Sequence, residues 1–271
     1  MKKTVSILAG VLCLMACNKV EDPSNNNTLS AVATIDTQTK TAYTDNGVGN
    51  GMKVDWAESD SFTAYYNGTS TLTFSKSAAG STFSAENVPD GVTTSTQFTG
   101  LYGSAATLSS TGAINIDFRK QDGSLANLPA YDVMTATSEL TDGVLSFAFK
   151  HKCAIIRLTV TNNSSDYDIQ KVNITARDAS IDTDFGTTGI TQNSYCSLTF
   201  TLANSIQYNE TKTVYCVVPA MSYKAGVVGT GVTTPHVVSI SFNVPSTGIE
   251  AGKVYDRQMI YNGTYPPQII K

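Results

Sequence analysis

The sequence predicts an all-β chain built from two tandem β-sandwiches. Three observations carry that expectation. Apolar residues alternate with period two in short runs from Leu29 to Tyr261. Gly, Pro, Asn and Asp clusters separate the runs at intervals of roughly 8–12 residues. Apolar residues spaced i, i+3, i+4 over helical lengths are absent. At 271 residues the chain is long enough for two domains of ordinary size. Charged residues make up only 15% and the formal charge is −4, with no Lys/Arg cluster, which argues against a nucleic-acid partner.

The N-terminus reads as an export signal. Lys2 and Lys3 precede the apolar run Val5–Met15, too short to span a bilayer as a permanent helix. The run ends in Leu14-Met15-Ala16-Cys17, which resembles the lipobox of bacterial lipoproteins. On that reading residues 1–16 are a signal peptide and Cys17 is the lipidated residue. The alternative is an ordinary signal peptide with an incidental cysteine. Losing Lys2 and Lys3 moves the formal charge from −4 to −6. Residues 17–28 are polar with an Asn run, as a lipidated flexible tether would be. Lys19, Glu21 and Asp22 resemble the charged export signals of surface-exposed lipoproteins, or simply solvate a linker. The expected location is the cell outer membrane, surface-exposed, with acyl chains as the anchor.

The first strand candidate, Leu29–Thr39, places Leu29, Ala31, Ala33 and Ile35 on one face, with Thr37 and Thr39 continuing it in polar form. Thr41–Gly51 is polar and glycine-rich and reads as a loop open to proteases. Strands are expected next at 53–56, 61–66, 71–75, 82–85, 97–102, 113–118 and 132–138. Gly143–Asn162 is the longest run with strand character. Phe147, Phe149, His151 and Cys153 share one face, and Ile156, Leu158 and Val160 then carry the pattern in opposite parity. That switch predicts a β-bulge near Ala154–Ile155, in a strand that opens the second domain. Val172–Ala176, Ser197–Leu202, Thr213–Val218, Val238–Val244 and Lys253–Tyr261 complete the set. The expected division is 29–140 for an N-terminal sandwich and 141–271 for a C-terminal one.

Three cysteines remain in the body, Cys153, Cys196 and Cys216, and an odd count describes no disulfide framework. Cys196 shares a face with Leu198, Phe200 and Leu202, and Cys216 with Val214 and Val218. Both are expected inside as free thiols. A Cys196–Cys216 bond is the alternative in an oxidising compartment.

At this level the chain resembles the fimbrillin family, the lipoprotein precursors of type V pilus subunits. The likeness rests on the lipobox, on Lys40-Thr41 closing the first strand, and on Val54-Asp55-Trp56 with Ser59-Asp60-Ser61-Phe62 shortly after. It rests also on Asp132-Val133-Met134-Thr135-Ala136, on Phe147-x-Phe149-Lys150-His151, on Val218-Pro219, and on Gly252-Lys253-x-Tyr255. The resemblance implies two transthyretin-like β-sandwiches and a structural or adhesive subunit of a surface fimbria. It implies other fimbrial subunits, or a second copy, as partners. In that family a protease removes the first strand, usually after an Arg, and a strand from the next subunit fills the groove. Here the closing residue is Lys40, and no Arg precedes Arg119. Either a protease that accepts Lys cuts between Lys40 and Thr41, or the strand stays and the chain is a tip, an anchor or a non-polymerising protein. Lys253–Tyr261 with its tail to Lys271 is the candidate donor.

Enzyme chemistry finds no footing in the residues, so no catalytic, cofactor or metal residue is expected. There is no HExxH, Cys-x-x-Cys, Gly-x-Ser-x-Gly or glycine-rich phosphate loop. His151 and His236 both fall within apparent strands, where a hydrogen-bonded histidine is the ordinary case. Asp178, Asp182 and Asp184 lack the terminal Glu of a Ca²⁺ loop. Asp55, Glu58 and Asp60 flank Trp56, whose expected role is packing in the first core. A second functional class is a non-polymerising surface lipoprotein binding host or bacterial glycans or proteins, with Tyr65, Tyr66, Tyr102 and Tyr131 as candidate platforms.

Overall fold

The computed structural model describes residues 28–35, 42–76, 80–177, 179–192, 195–223, 236–243, 246–263 and 268–270. The first half runs through β1 (Leu29–Ile35), β2 (Ala42–Asp45), β3 (Met52–Asp55), β4 (Ser61–Tyr66), β5 (Ser70–Lys76) and β6 (Thr82–Ala85). It continues with β7 (Gln97–Tyr102), β8 (Ala106–Leu108), β9 (Ile114–Ile116), β10 (Met134–Glu139) and β11 (Val144–His151). Three helical turns lie between β9 and β10, at Phe118–Lys120, Leu125–Asn127 and Leu128–Tyr131. The second half holds β12 (Cys153–Asn162), β13 (Ile169–Arg177), β14 (Ala179–Ile181), β15 (Thr191–Gln192) and β16 (Tyr195–Ile206). Then come β17 (Glu210–Pro219), β18 (Met221–Tyr223), β19 (Val237–Asn243), β20 (Val254–Tyr261) and β21 (Gln268–Ile270).

The all-β expectation holds, but the first body differs from the sandwich expected of it. Seven strands close into a barrel in the order β1-β11-β10-β7-β4-β5-β6. The closure is the work of β1, which pairs parallel with β11 and antiparallel with β6. With both its edges occupied, the sheet has no open side. Strict alternation turns Phe62, Phe74, Phe83, Phe147 and Phe149 inward. Their rings meet edge to face or stacked at centroid distances of 5.0–6.0 Å.

The second body is a pair of four-stranded sheets, β17-β12-β20-β21 and β15-β16-β13-β19. Its apolar core includes Leu158, Val160, Val172, Ile174 and Phe200, and it also takes in Ile114, Ile116, Phe118 and Leu128 from the first half.

The stretch expected to be one long strand is two strands in two sheets. β11 has one face in the barrel core, whereas Cys153–Leu158 at the start of β12 are buried without interruption. The break falls at Lys152, whose N–H donates to Val133 O at 2.8 Å and whose carbonyl accepts from Ala220 N at 3.0 Å. The parity switch marks this change of sheet and not a bulge at Ala154–Ile155. The chain passes from the barrel cluster to the second apolar cluster at Lys152, and segment 103–133 packs with the second cluster. The burial expected for Phe147, Phe149, Leu158 and Val160 is observed.

Gly100 on β7 lies against the Phe147–Phe149 pair. A Cβ there would meet Phe149 Cζ at 2.9 Å and Phe147 Cδ1 at 3.0 Å. Gly100→Ala is expected to cost about 1–3 kcal/mol by overpacking. Phe149→Ala is expected to cost about 3–5 kcal/mol by emptying the centre of the ring cluster. Urea unfolding measures both, and a Phe149→Ala loss under about 1 kcal/mol would contradict the packing described.

Candidate functional site: the seat of the first strand

The strand β1 has a small inward face. Leu29, Ala31 and Ala33 point into the barrel, while Ser30, Val32 and Thr34 point out. One leucine and two alanine methyls supply roughly 3–5 kcal/mol of apolar burial, little for a strand with two neighbours. Its hold comes mainly from the backbone ladders. Ser30–Ile35 are in register with Val144–Phe149 of β11, and Leu29–Val32 with Ala85–Thr82 of β6. Trp56 adds a lock: its indole N–H donates to Ala33 O at 3.1 Å. The ring sits edge-on to Phe83, Tyr102 and Phe149 at 5.0–5.9 Å. Lys76 Nζ donates to Trp56 O at 2.9 Å and fixes that backbone. Trp56 thus packs in the first core as expected and also binds the first strand directly.

Within the stretch expected as a loop, residues 42–45 form β2 and residues 46–50 are exposed. β2 and β3 form a hairpin, and its turn is clamped to the second body. Arg157 of β12 is 1% exposed. Its Nε donates to Asp256 Oδ1 at 2.5 Å, its Nη1 to Asp45, and its Nη2 to Gly47 O at 2.6 Å. Tyr215 Oη donates to Asp45 Oδ2 at 2.6 Å, and Gly49 N to Asp256 Oδ2 at 2.8 Å. Burial disfavours both charged carboxylates. For Asp45 this is outweighed by Tyr215, the Gly47 N–H and Arg157, and for Asp256 by Arg157 and the Gly49 N–H, so both stay below the usual carboxylate range. Hydrogen bonding to Asp256 raises the Arg157 guanidinium further above its ordinary value, against the opposing effect of burial.

A second latch lies at the junction of the two cores. Tyr43 of β2 donates to Asp132, whose two oxygens lie 2.9 and 3.0 Å from His151 Nδ1. Burial, and then Asp132, push the Tyr43 phenol well up, so it stays protonated. Burial opposes charge on His151, but the Asp132 carboxylate outweighs it and raises the imidazole pKa. Cys153 lies in the same region, and burial pushes its thiol well above the ordinary range. Tyr43, Asp132 and His151 form one hydrogen-bonded group across the junction.

Cys17, Lys40, Thr41 and Asp178 lie outside the described residues. Cys153, Cys196 and Cys216 are free and buried. Asp182 Oδ1 accepts from Asp184 N at 3.1 Å, and Asp184 pairs with Lys152, so both serve turn geometry. Asp60 caps its own turn by accepting from Ala57 N. The four candidate tyrosine platforms are not platforms. Tyr66, Tyr102 and Tyr131 are buried, and Tyr65 is packed against the second core with Oη accepting from Leu108 N. Sequence reasoning missed Arg157, Tyr43 and Asp132. Arg157 was detectable as a cation inside the apolar run Ile155–Val160; Tyr43 and Asp132 carry no comparable signal.

No protein-family model and no curated protein matches the chain. Solved structures similar to it include a candidate cell adhesion protein of Bacteroides uniformis, at 14% identity and TM-score 0.45, covering 92% of this chain and 97% of that one. Another is a candidate cell adhesion protein of Bacteroides ovatus, at 14% identity and TM-score 0.47, covering 91% and 96%. A fimbrial protein of Bacteroides ovatus, at 11% identity and TM-score 0.32, covers 91% of this chain and 54% of its own.

Both latches can be tested by substitution. Arg157→Met leaves Asp45 and Asp256 without their cation, and removing one partner of a buried pair costs about 3–5 kcal/mol. Because both carboxylates are partly exposed, at 22% and 24%, about 2–4 kcal/mol is expected in urea unfolding. At the second latch the readout is pH. His151 has a raised folded pKa, so its stabilisation is full below the unfolded value of about 6.5 and fades as pH rises through the folded value. A stability–pH profile should fall across that window in the wild type. In His151→Gln that component should be missing.

Proposed function

We propose that the chain is a structural or adhesive subunit of a cell-surface fimbria, exported as a lipoprotein and assembled by strand exchange at the seat of β1. The observation that carries this reading is the way β1 is held. It is the closing strand of the barrel, fixed by two backbone ladders and small side chains. The hairpin after it is anchored elsewhere, through Asp45 and Gly47, on the sheet containing β12. A cut between Lys40 and Thr41 would separate two pieces held by different parts of the molecule. Loss of β1 would leave the facing donors and acceptors of β11 and β6 unpaired, and a strand from another subunit satisfies them.

The donor expected from the sequence needs narrowing. β20 is sealed between β12 and β21, in register with β12 over its whole length. Releasing it would dismantle the second body. Among the described residues β21 pairs only with β20, at the sheet edge, and is the part of the tail whose release costs the fewest pairings.

Limited trypsin treatment of the purified chain is the test. A fragment beginning at Thr41 and a ladder of higher oligomers are expected, and deleting residues 264–271 should shorten the ladder. Cleavage after Lys40 that yields monomers alone would overturn assembly by strand exchange.

A further inference from the structure

Among the described residues, two tyrosines of the second body are exposed, unlike the buried tyrosines above. Tyr167 is 41% exposed and Tyr208 is 53% exposed. They sit on neighbouring loops, 163–168 after β12 and 207–209 between β16 and β17. The loops are built around Asn162, which is fully buried. Its Nδ2 donates to Tyr167 O at 2.9 Å and to Ile206 O at 3.0 Å, and its Oδ1 accepts from Ser164 N at 3.0 Å. Asn209 N donates to Asn162 O at 2.7 Å and closes the second loop on the first. A third loop joins through Asn163, whose N donates to Tyr261 O at 2.7 Å and whose Nδ2 donates to Asn262 Oδ1 at 3.2 Å.

His236 completes the surface. It is exposed, lies edge-on to the Tyr167 ring at 5.2 Å, and donates from Nδ1 to Asp168 O at 3.1 Å. Its φ is +67°, and that of Asn209 is +61°. Positive φ is costly for histidine, and here it is held by Gln170 N and Lys171 N donating to His236 O at 2.9 and 3.0 Å. A buried amide and a constrained backbone therefore hold these exposed loops in place.

We propose that these loops bind neutral oligosaccharides. The chemistry is that of the exposed groups. Tyrosine rings offer flat apolar faces to the C–H side of a sugar ring at low entropic cost, as they do in antibody combining loops. The side chains of Asn163, Asn209, Asn262 and Asp166 offer donors and acceptors for hydroxyls around those rings. Fixing the loops beforehand removes an ordering cost from binding. Residues 163–168, 207–209 and 261–263 carry Asp166 and Asp168 and no lysine or arginine, so a sialylated or sulfated glycan would meet like charge on these loops, with Lys171 beside His236 and Lys212 beside Ser205 as flanking cations. The loops belong to the sheets of the second body and β1 to the barrel, so the site shares no strand with the seat of β1.

The test is binding of the full-length chain, in detergent, to an array of neutral, sialylated and sulfated oligosaccharides, then titration with the best neutral hexasaccharide. Neutral glycans should be retained in preference to anionic ones. Tyr167→Ala with Tyr208→Ala should weaken binding by about tenfold or more, with an unchanged thermal midpoint because both rings are exposed. The Tyr→Phe pair should keep most of the affinity, since the stacking face remains. Retention of no neutral glycan at millimolar concentration, preference for anionic glycans, or equal binding by the wild type and the double Ala variant would each overturn the proposal. Lys40→Gln, which removes the proposed cleavage site, should leave binding unchanged, so failure of strand exchange and failure of glycan binding are told apart.

Discussion

A barrel packed with phenylalanine cannot be left open to water, and in this chain the strand that shuts it is the first one. The rings of Phe62, Phe74, Phe83, Phe147 and Phe149 fill the interior so completely that the strand between β6 and β11 needs no large side chain. Small residues at Ala31 and Ala33 are a consequence of that crowding. The energetic division is then set: the barrel supplies the apolar burial, and β1 supplies hydrogen-bonding edges. An apolar interior makes β1 necessary, while its own side chains make it weakly anchored. Both properties come from the same packing.

The second constraint is electrostatic and acts on the β2–β3 hairpin. A guanidinium as buried as Arg157 has lost its hydration, and only carboxylates and carbonyls in good geometry offset that cost. Asp256 comes from the adjacent β20, so part of the compensation is local to the sheet. The rest, Asp45 and Gly47, arrives from the hairpin, 112 and 110 positions away in sequence. The hairpin is therefore required by Arg157, and the N-terminal part of the chain is tied to the C-terminal sheet by a charge that has few other partners. Tyr43, two residues before Asp45, adds a further tie through Asp132 and His151.

Much of this was legible in the sequence because period-two alternation is a local signal. It located β1, β4, β7, β11 and the buried faces of β12 and β13, and it put the free cysteines inside. It failed where a property depends on pairing across the chain. The parity change after His151 was visible, but alternation cannot distinguish a bulge from a change of sheet, and Lys152 is decided by Val133 and Ala220. Barrel closure was hidden for the same reason, since the parallel partner of β1 lies more than a hundred residues away. Composition marks the exposed turn at 46–50 but not β2 before it: polar and glycine-rich residues are equally suited to a hairpin whose polar groups are bound by a buried arginine. The tyrosines misled because alternation assigns a face but not the element that covers it. Tyr65 and Tyr131 are covered by elements from segment 103–133 and the second half.

These constraints also explain why one peptide bond could matter more than its neighbours on the proposed route. While the chain is intact, β1 is tethered to its seat, and a tether of a few residues holds a strand at an effective concentration in the millimolar range or above. Any competing strand from outside must overcome that advantage as well as match the backbone ladders. Severing the tether leaves the ladders unchanged and removes only the concentration term. Because the inward face of β1 contributes little apolar burial, the residual affinity rests on backbone pairing, which an incoming strand with small residues at the inward positions reproduces. The hairpin beyond the cut does not leave with β1, since Arg157 and Asp132 hold it from the other side. The seat would thus change occupant while the rest of the fold keeps its contacts, the condition any mechanism of strand replacement must meet.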